Sequence, residues 1–190
     1  DLEKLVDTSD AWIRERTGIA SRHMAADGEV TSDLAFHASM RALEMAERTP
    51  ADIDMILLAT VSPDQIMPNT ACVLQAKLGA PECMALDISA ACSGFVYGLA
   101  IADQFIRTGP LKNVLVVGAE VLHRIVNYKD RDTCILFGDA AGAALVTRAE
   151  EGQDSTIYSH HLHADGKISD LFILPGGGSV HPISQYVLDN

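Results

Sequence analysis

The sequence predicts a layered α/β fold. Short apolar runs of strand length, at residues 55–61, 84–88 and 113–118, alternate with segments of helix length at 31–48, 69–78 and 93–108. Such alternation implies a largely parallel sheet with helices against its faces. The chain is 48% hydrophobic but only 5% aromatic, so its core is built from Ala, Val, Ile and Leu. That composition suits parallel strands buried on both faces. At 190 residues it is one large domain, or one and a half small ones, with a sizeable core.

Each element has a local reason. Residues 9–16 read as a short helix with Thr8 or Ser9 as N-cap, and the polar stretch 20–30 reads as a loop. In 31–48, Leu34, Ala38, Ala42 and Met45 recur at helical spacing with Asp33 in the first turn, and Pro50 closes the segment. Residues 55–61 form a buried strand, and a helix over 69–78 stops at Gly79. The strand 84–88 leads into a helix over 93–108 that is apolar on almost every face, the mark of a helix buried in the middle of a protein. Gly109 and Pro110 end it, and 113–118 is a further buried strand. Short strands are expected at 135–137 and 143–147 around a Gly-Asp turn, and at 156–161 and 171–174 in a final antiparallel portion. No internal repeat or low-complexity tract interrupts the pattern.

Charge narrows the function. Fourteen Lys and Arg against 26 Asp and Glu give −12, which argues against nucleic acid or an anionic membrane surface as a partner. The same charge serves solubility. The cysteines are Cys72, Cys83, Cys92 and Cys134; none forms a C-x-x-C pair, and the chain is neither small nor Cys-dense, so a reducing cytoplasm is expected. No signal peptide and no apolar run of membrane-spanning length is seen. His160, His161 and His163 cluster, but only His161 and His163 would share a strand face, too few for a closed metal site. Gly176, Gly177 and Gly178 lack the context of a phosphate loop and read as a connection.

Cys92 is the most informative residue. It lies in Asp87-Ile88-Ser89-Ala90-Ala91-Cys92-Ser93-Gly94-Phe95, where an apolar strand meets an apolar helix. Free N–H groups and the dipole of a helix start favour negative charge there, as a nucleophilic sulfur requires. A buried structural Cys fits the local pattern equally well. Trp12 and Arg16, four residues apart, can share a helix side. Indole and guanidinium suit a nucleotide; a half-buried Trp beside a solvated Arg is the plainer alternative.

Ala90-Ala91-Cys92-Ser93-Gly94-Phe95 resembles the active-site segment of β-ketoacyl-acyl carrier protein synthase III, a thiolase-fold condensing enzyme. Asp7-Thr8-Ser9-Asp10, Trp12-Ile13, Arg16-Thr17-Gly18-Ile19, Asp130-Arg131, Phe137-Gly138-Asp139 and Leu162-His163-Ala164-Asp165-Gly166 match that family in the same order. The resemblance implies a thiolase-like layered α-β-α-β-α fold, first half only, with a mixed five-stranded sheet and a buried nucleophile helix. Residues 1–150 would form that half, and 151–190 the connection and the start of a second, with the chain stopping early near 186–190. It implies Cys92 as the nucleophile, Thr8, Trp12, Arg16 and Arg131 around coenzyme A, and Met67 and Phe137 at the acyl pocket, Met67 reaching the partner of a homodimer. His163 would be structural. No cofactor or metal is implied; the coenzyme A thioester is a substrate, and malonyl-acyl carrier protein supplies the second carbon unit. The reaction also needs a His and an Asn from the second half, so these 190 residues are expected at best to acylate and not to decarboxylate. A thiolase-fold synthase with another acceptor, or a non-catalytic dimerisation partner, are the alternatives.

Overall fold

The computed structural model describes residues 2–150, 152 and 156–185. They fall in two compact units, Asp1–His160 and His161–Asn190.

In the first unit the elements run α1 (Asp10–Thr17), α2 (Thr31–Met45), β1 (Met55–Ala59), α3 (Thr70–Leu78), β2 (Met84–Ile88), α4 (Gly94–Thr108), β3 (Asn113–Val121), α5 (Arg131–Cys134) and β4 (Asp139–Thr147). The sheet order is β2-β1-β3-β4. β1 pairs in parallel with β2 and β3, and β4 runs antiparallel to β3 with Val121 opposite Asp139. The period of two along the strands makes three layers. Ile56, Leu58, Leu115, Val117 and Ala119 pack on α2 and α3 through Ala35, Leu43, Ala71, Leu74 and Leu78. Met55, Leu57, Val114 and Val116 pack on α4 through Ala102 and Ile106.

The helix ends follow local chemistry. Ser9 caps α1 by accepting the Trp12 amide at 3.1 Å, and Asn69 caps α3 by accepting the Cys72 amide at 2.8 Å. Gly18 and Gly79 close the same two helices in the left-handed conformation, with φ 71° and 64°.

Several expectations change. The sheet has four strands among the described residues, not five. Residues 135–137 are not a strand: Asp130 caps the short α5, and the chain turns at Leu136 before pairing begins at Asp139. The buried face of α2 is Thr31, Ser32, Ala35, Ser39 and Leu43, whereas Met45 is 87% exposed. Small hydroxyl residues occupy that face because each finds a partner: Thr31 donates to the Ser62 carbonyl, Ser32 to Asp64, and Ser39 to the Ala35 carbonyl. Finally α4 is buried along one side only, with Val96 and Phe105 half exposed.

Among its described residues the second unit holds one 3-10 turn, Gly166–Ile168, where Asp165 accepts the Lys167 amide. Its apolar residues Leu171, Phe172, Ile173 and Leu174 are exposed. Neither 156–161 nor 171–174 is a strand, since neither finds a neighbouring strand to complete its backbone hydrogen bonds. Residues 186–190 lie outside the described residues.

Candidate active site

Four loops meet at one edge of the sheet. β1, β2 and β3 are parallel, so the segments that follow them leave at the same edge, and antiparallel β4 begins there. Cys92 follows β2, Met67 follows β1, Arg131 follows β3, and Phe137 lies two residues before β4. In open α/β sheets ligands bind beyond the carboxyl ends of the strands.

Cys92 sits in a 3-10 turn, Ala91–Ser93, between β2 and α4. Ala91 carries φ 45°, a left-handed conformation that costs a residue with a Cβ. This kink ends the strand abruptly and leaves Cys92 exposed at the foot of α4. α4 is held close beneath it. A Cβ at Gly94 would lie 2.8 Å from Ala59 Cβ, and one at Gly98 would lie 2.8 Å from Val116 Cγ1. The helix therefore needs glycine at both positions to seat on β1 and β3. Two of the other thiols are suppressed, since burial pushes both Cys83 and Cys134 up.

Trp12, Arg16 and Arg131 come together. The Arg16 guanidinium lies 4.6 Å from the indole centroid and that of Arg131 lies 4.8 Å from it. Both are cation–π distances. Arg131 also donates to the Asp7 carbonyl at 3.2 Å. Thr8, next along, has a buried hydroxyl oxygen without a hydrogen-bond partner. Beneath this cluster Ile13, Cys134 and Ile135 form a small core of their own, which fastens α1 to α5. Met67 stands 84% exposed beside Ile66, 85% exposed, in the loop after β1. Phe137 is half-buried.

Sequence reasoning missed the carboxylates that hold these loops. Glu120, at the end of β3, accepts the Thr60 hydroxyl, the Val61 and Ser62 amides and the Ser62 hydroxyl. The Ser62 hydroxyl in turn accepts the Val121 amide. Asp87 accepts the Thr70 and Ala71 amides, capping α3 from the strand that leads to Cys92. Asp139 accepts the His123 and Ala25 amides and pairs with the His123 imidazole. Burial would raise its carboxyl, but those donors outweigh it and hold the group below its ordinary 3.8. An acid inside an otherwise apolar strand, as at Asp87 and Glu120, was the available signal. Among the described residues no three His, Cys, Asp or Glu are placed to hold a metal ion, and no helix is long and apolar enough to cross a membrane.

A family profile for 3-oxoacyl-[acyl-carrier-protein] synthase III matches residues 86–166. The β-ketoacyl-[acyl-carrier-protein] synthase III of Caldanaerobacter subterraneus subsp. tengcongensis is 55% identical over 189 residues, covering 100% of this chain and 56% of that protein. Its counterpart from Xylella fastidiosa is 57% identical over 180 residues, covering 95% of this chain and 55% of that one. The chain thus spans about half the length of the curated relatives it matches. Among solved structures, 3-oxoacyl-[acyl-carrier-protein] synthase III from Aquifex aeolicus superposes with a TM-score of 0.77 at 54% identity, over 80% of this chain and 49% of that one. The enzyme from Pseudomonas aeruginosa gives 0.86 at 36% identity, over 95% and 56%. The fold is therefore thiolase-like, and the chain belongs to the 3-oxoacyl-[acyl-carrier-protein] synthase III family.

Proposed function

We propose that the chain carries the thioester-capturing part of a condensing enzyme that starts fatty acid synthesis. Cys92 attacks the carbonyl of a short acyl-CoA, coenzyme A leaves, and an acyl-Cys thioester remains. The backbone N–H of Cys92 supplies one donor to the oxyanion, and the second comes from the other half of the enzyme. Malonyl-acyl carrier protein then loses carbon dioxide, and its carbanion takes the acyl group from sulfur to give a 3-oxoacyl chain. Trp12, Arg16, Arg131 and Thr8 hold the nucleotide end of coenzyme A, and Met67 and Phe137 line the acyl pocket. The working form is a cytoplasmic homodimer, with the exposed Met67 offered to the partner's pocket.

The observation that carries this reading is a kinked-turn cysteine after β2 together with a two-arginine indole clamp whose Arg131 follows the parallel strand β3. Adenine stacks on the Trp12 indole by displacing one guanidinium, while phosphate keeps both arginines engaged. A base–aromatic stack contributes about 1–3 kcal/mol, so Trp12→Ala should raise KM for acetyl-CoA about 5- to 150-fold. Trp12 is the sole tryptophan of the chain, so coenzyme A should also change its fluorescence. An unchanged KM together with silent fluorescence would refute the assignment.

A further inference from the structure

We infer that Arg22 and Asp139 are positioning residues for coenzyme A: they brace the arm carrying Trp12 and Arg16 against the segment carrying Arg131. The inference rests on the nucleotide clamp proposed above and adds two residues that touch neither the nucleotide nor the reacting atoms. The clamp is assembled from sequence-distant halves, one on α1 and one on α5. α1 has eight residues and buries only Ile13. A helix that short does not hold itself in water, so tertiary contacts must fix its place.

Those contacts form a strip between residues 22–25 and 135–139. The Arg22 Nε–H donates to the Ile135 carbonyl at 2.8 Å, and Ile135 lies in the same small core as Ile13 and Trp12. The Asp139 amide donates to the His23 carbonyl at 2.8 Å, and the Ala25 amide donates to the Asp139 carboxylate at 2.7 Å. Between them Gly138 lets the two segments touch. A Cβ there would lie 3.1 Å from the His23 carbonyl oxygen and 3.2 Å from Arg22 Cβ. Asp139 is 7% exposed, and its second oxygen accepts the His123 amide at 2.9 Å, which ties the strip to the end of β3. The brace contacts therefore lie on the same two segments as the clamp residues. Arg131 and Phe137 flank Ile135, and Arg22 follows Arg16 by six residues. Without the brace the arm must be ordered when coenzyme A binds, a cost that weakens binding and leaves the chemistry at Cys92 unchanged.

The test is single-turnover kinetics of Cys92 acylation by acetyl-CoA, with KM and kcat read as the half-saturating concentration and the limiting rate, and Trp12 fluorescence titrated by coenzyme A. Arg22→Ala should raise KM and the coenzyme A dissociation constant about tenfold, roughly the ordering cost of one residue, with kcat changed less than about twofold. In a Trp12→Ala background most of the Arg22→Ala effect should vanish, because the brace acts through the clamp. Asp139→Asn, which keeps the shape and removes the charge, should shift KM in the same direction. If Arg22→Ala does not fold, Arg22→Lys and Asp139→Asn carry the same prediction. A fall in kcat with KM unchanged, a loss of thermal stability with both constants unchanged, or an effect fully additive with Trp12→Ala would each overturn the brace. If Trp12→Ala itself leaves KM unchanged, the clamp assignment fails instead.

Discussion

Gly98 sets the height of the nucleophile helix above the sheet, and the consequence can be worked through. A Cβ at residue 98 would meet Val116 Cγ1 at 2.8 Å. Carbon atoms in contact sit about 3.5–4.0 Å apart, so the shortfall is about 1 Å. Val116 is fully buried at the centre of β3, and a β-branched side chain in a sheet has little rotamer freedom with which to yield. α4 must therefore move outward. Overpacking of this kind costs about 1–3 kcal/mol, and replacing Gly in a helix interior returns about 1 kcal/mol, so Gly98→Ala should destabilise by about 0–2 kcal/mol. Val116→Ala alone removes two methyl groups and leaves a cavity, at about 2–3 kcal/mol. Combined, the vacated volume receives the new methyl, and the two changes should couple favourably by about 1–2 kcal/mol. Urea unfolding of the four proteins measures that coupling. Activity should follow, because α4 carries Cys92 at its foot. A displacement of about 1 Å there should slow acylation about 100-fold in Gly98→Ala, with partial recovery in the double variant. Additivity within about 0.5 kcal/mol, or a Gly98→Ala variant of undiminished activity, would refute the close-packing argument.

Other outcomes follow from the carboxylates at the same edge. Asp87→Ala orphans the Thr70 and Ala71 amides at the start of α3 and should cost about 1–3 kcal/mol in urea unfolding, with Asp87→Asn costing less. The Asp139 carboxyl lies below its ordinary 3.8 in the folded state, so its contribution to stability is present above about pH 4 and is lost as pH falls through the folded value. The stability gap between the wild type and Asp139→Asn should accordingly narrow below about pH 4, which thermal unfolding across pH 2–7 would check. A gap that widened in acid would reverse the sign of this argument.

Elements governed by local signals were legible in the sequence. Ser9 and Gly18 bound α1, Asn69 and Gly79 bound α3, and the apolar runs at 55, 84 and 113 became β1, β2 and β3. What failed depended on distant partners. The periodicity of α2 pointed to Met45, yet the helix buries Thr31, Ser32 and Ser39, whose hydroxyls are satisfied by Ser62, Asp64 and Ala35. The run 171–174 has strand composition but no strand beside it. The site divides the same way. Trp12, Arg16 and Arg131 belong to recognisable motifs and do meet. Arg22 and the bonds of Asp139 to Ala25 join residues more than a hundred positions apart, a pairing that no local pattern encodes.

The central claim is that Cys92 captures an acyl group from coenzyme A. Intact-mass spectrometry after incubation with acetyl-CoA, beside a Cys92→Ser control, tests it most directly. The account predicts a gain of one acetyl group that is absent from the control, with Cys72, Cys83 and Cys134 unmodified. A folded protein that gains no acetyl group, or one that gains it equally in Cys92→Ser, would contradict it.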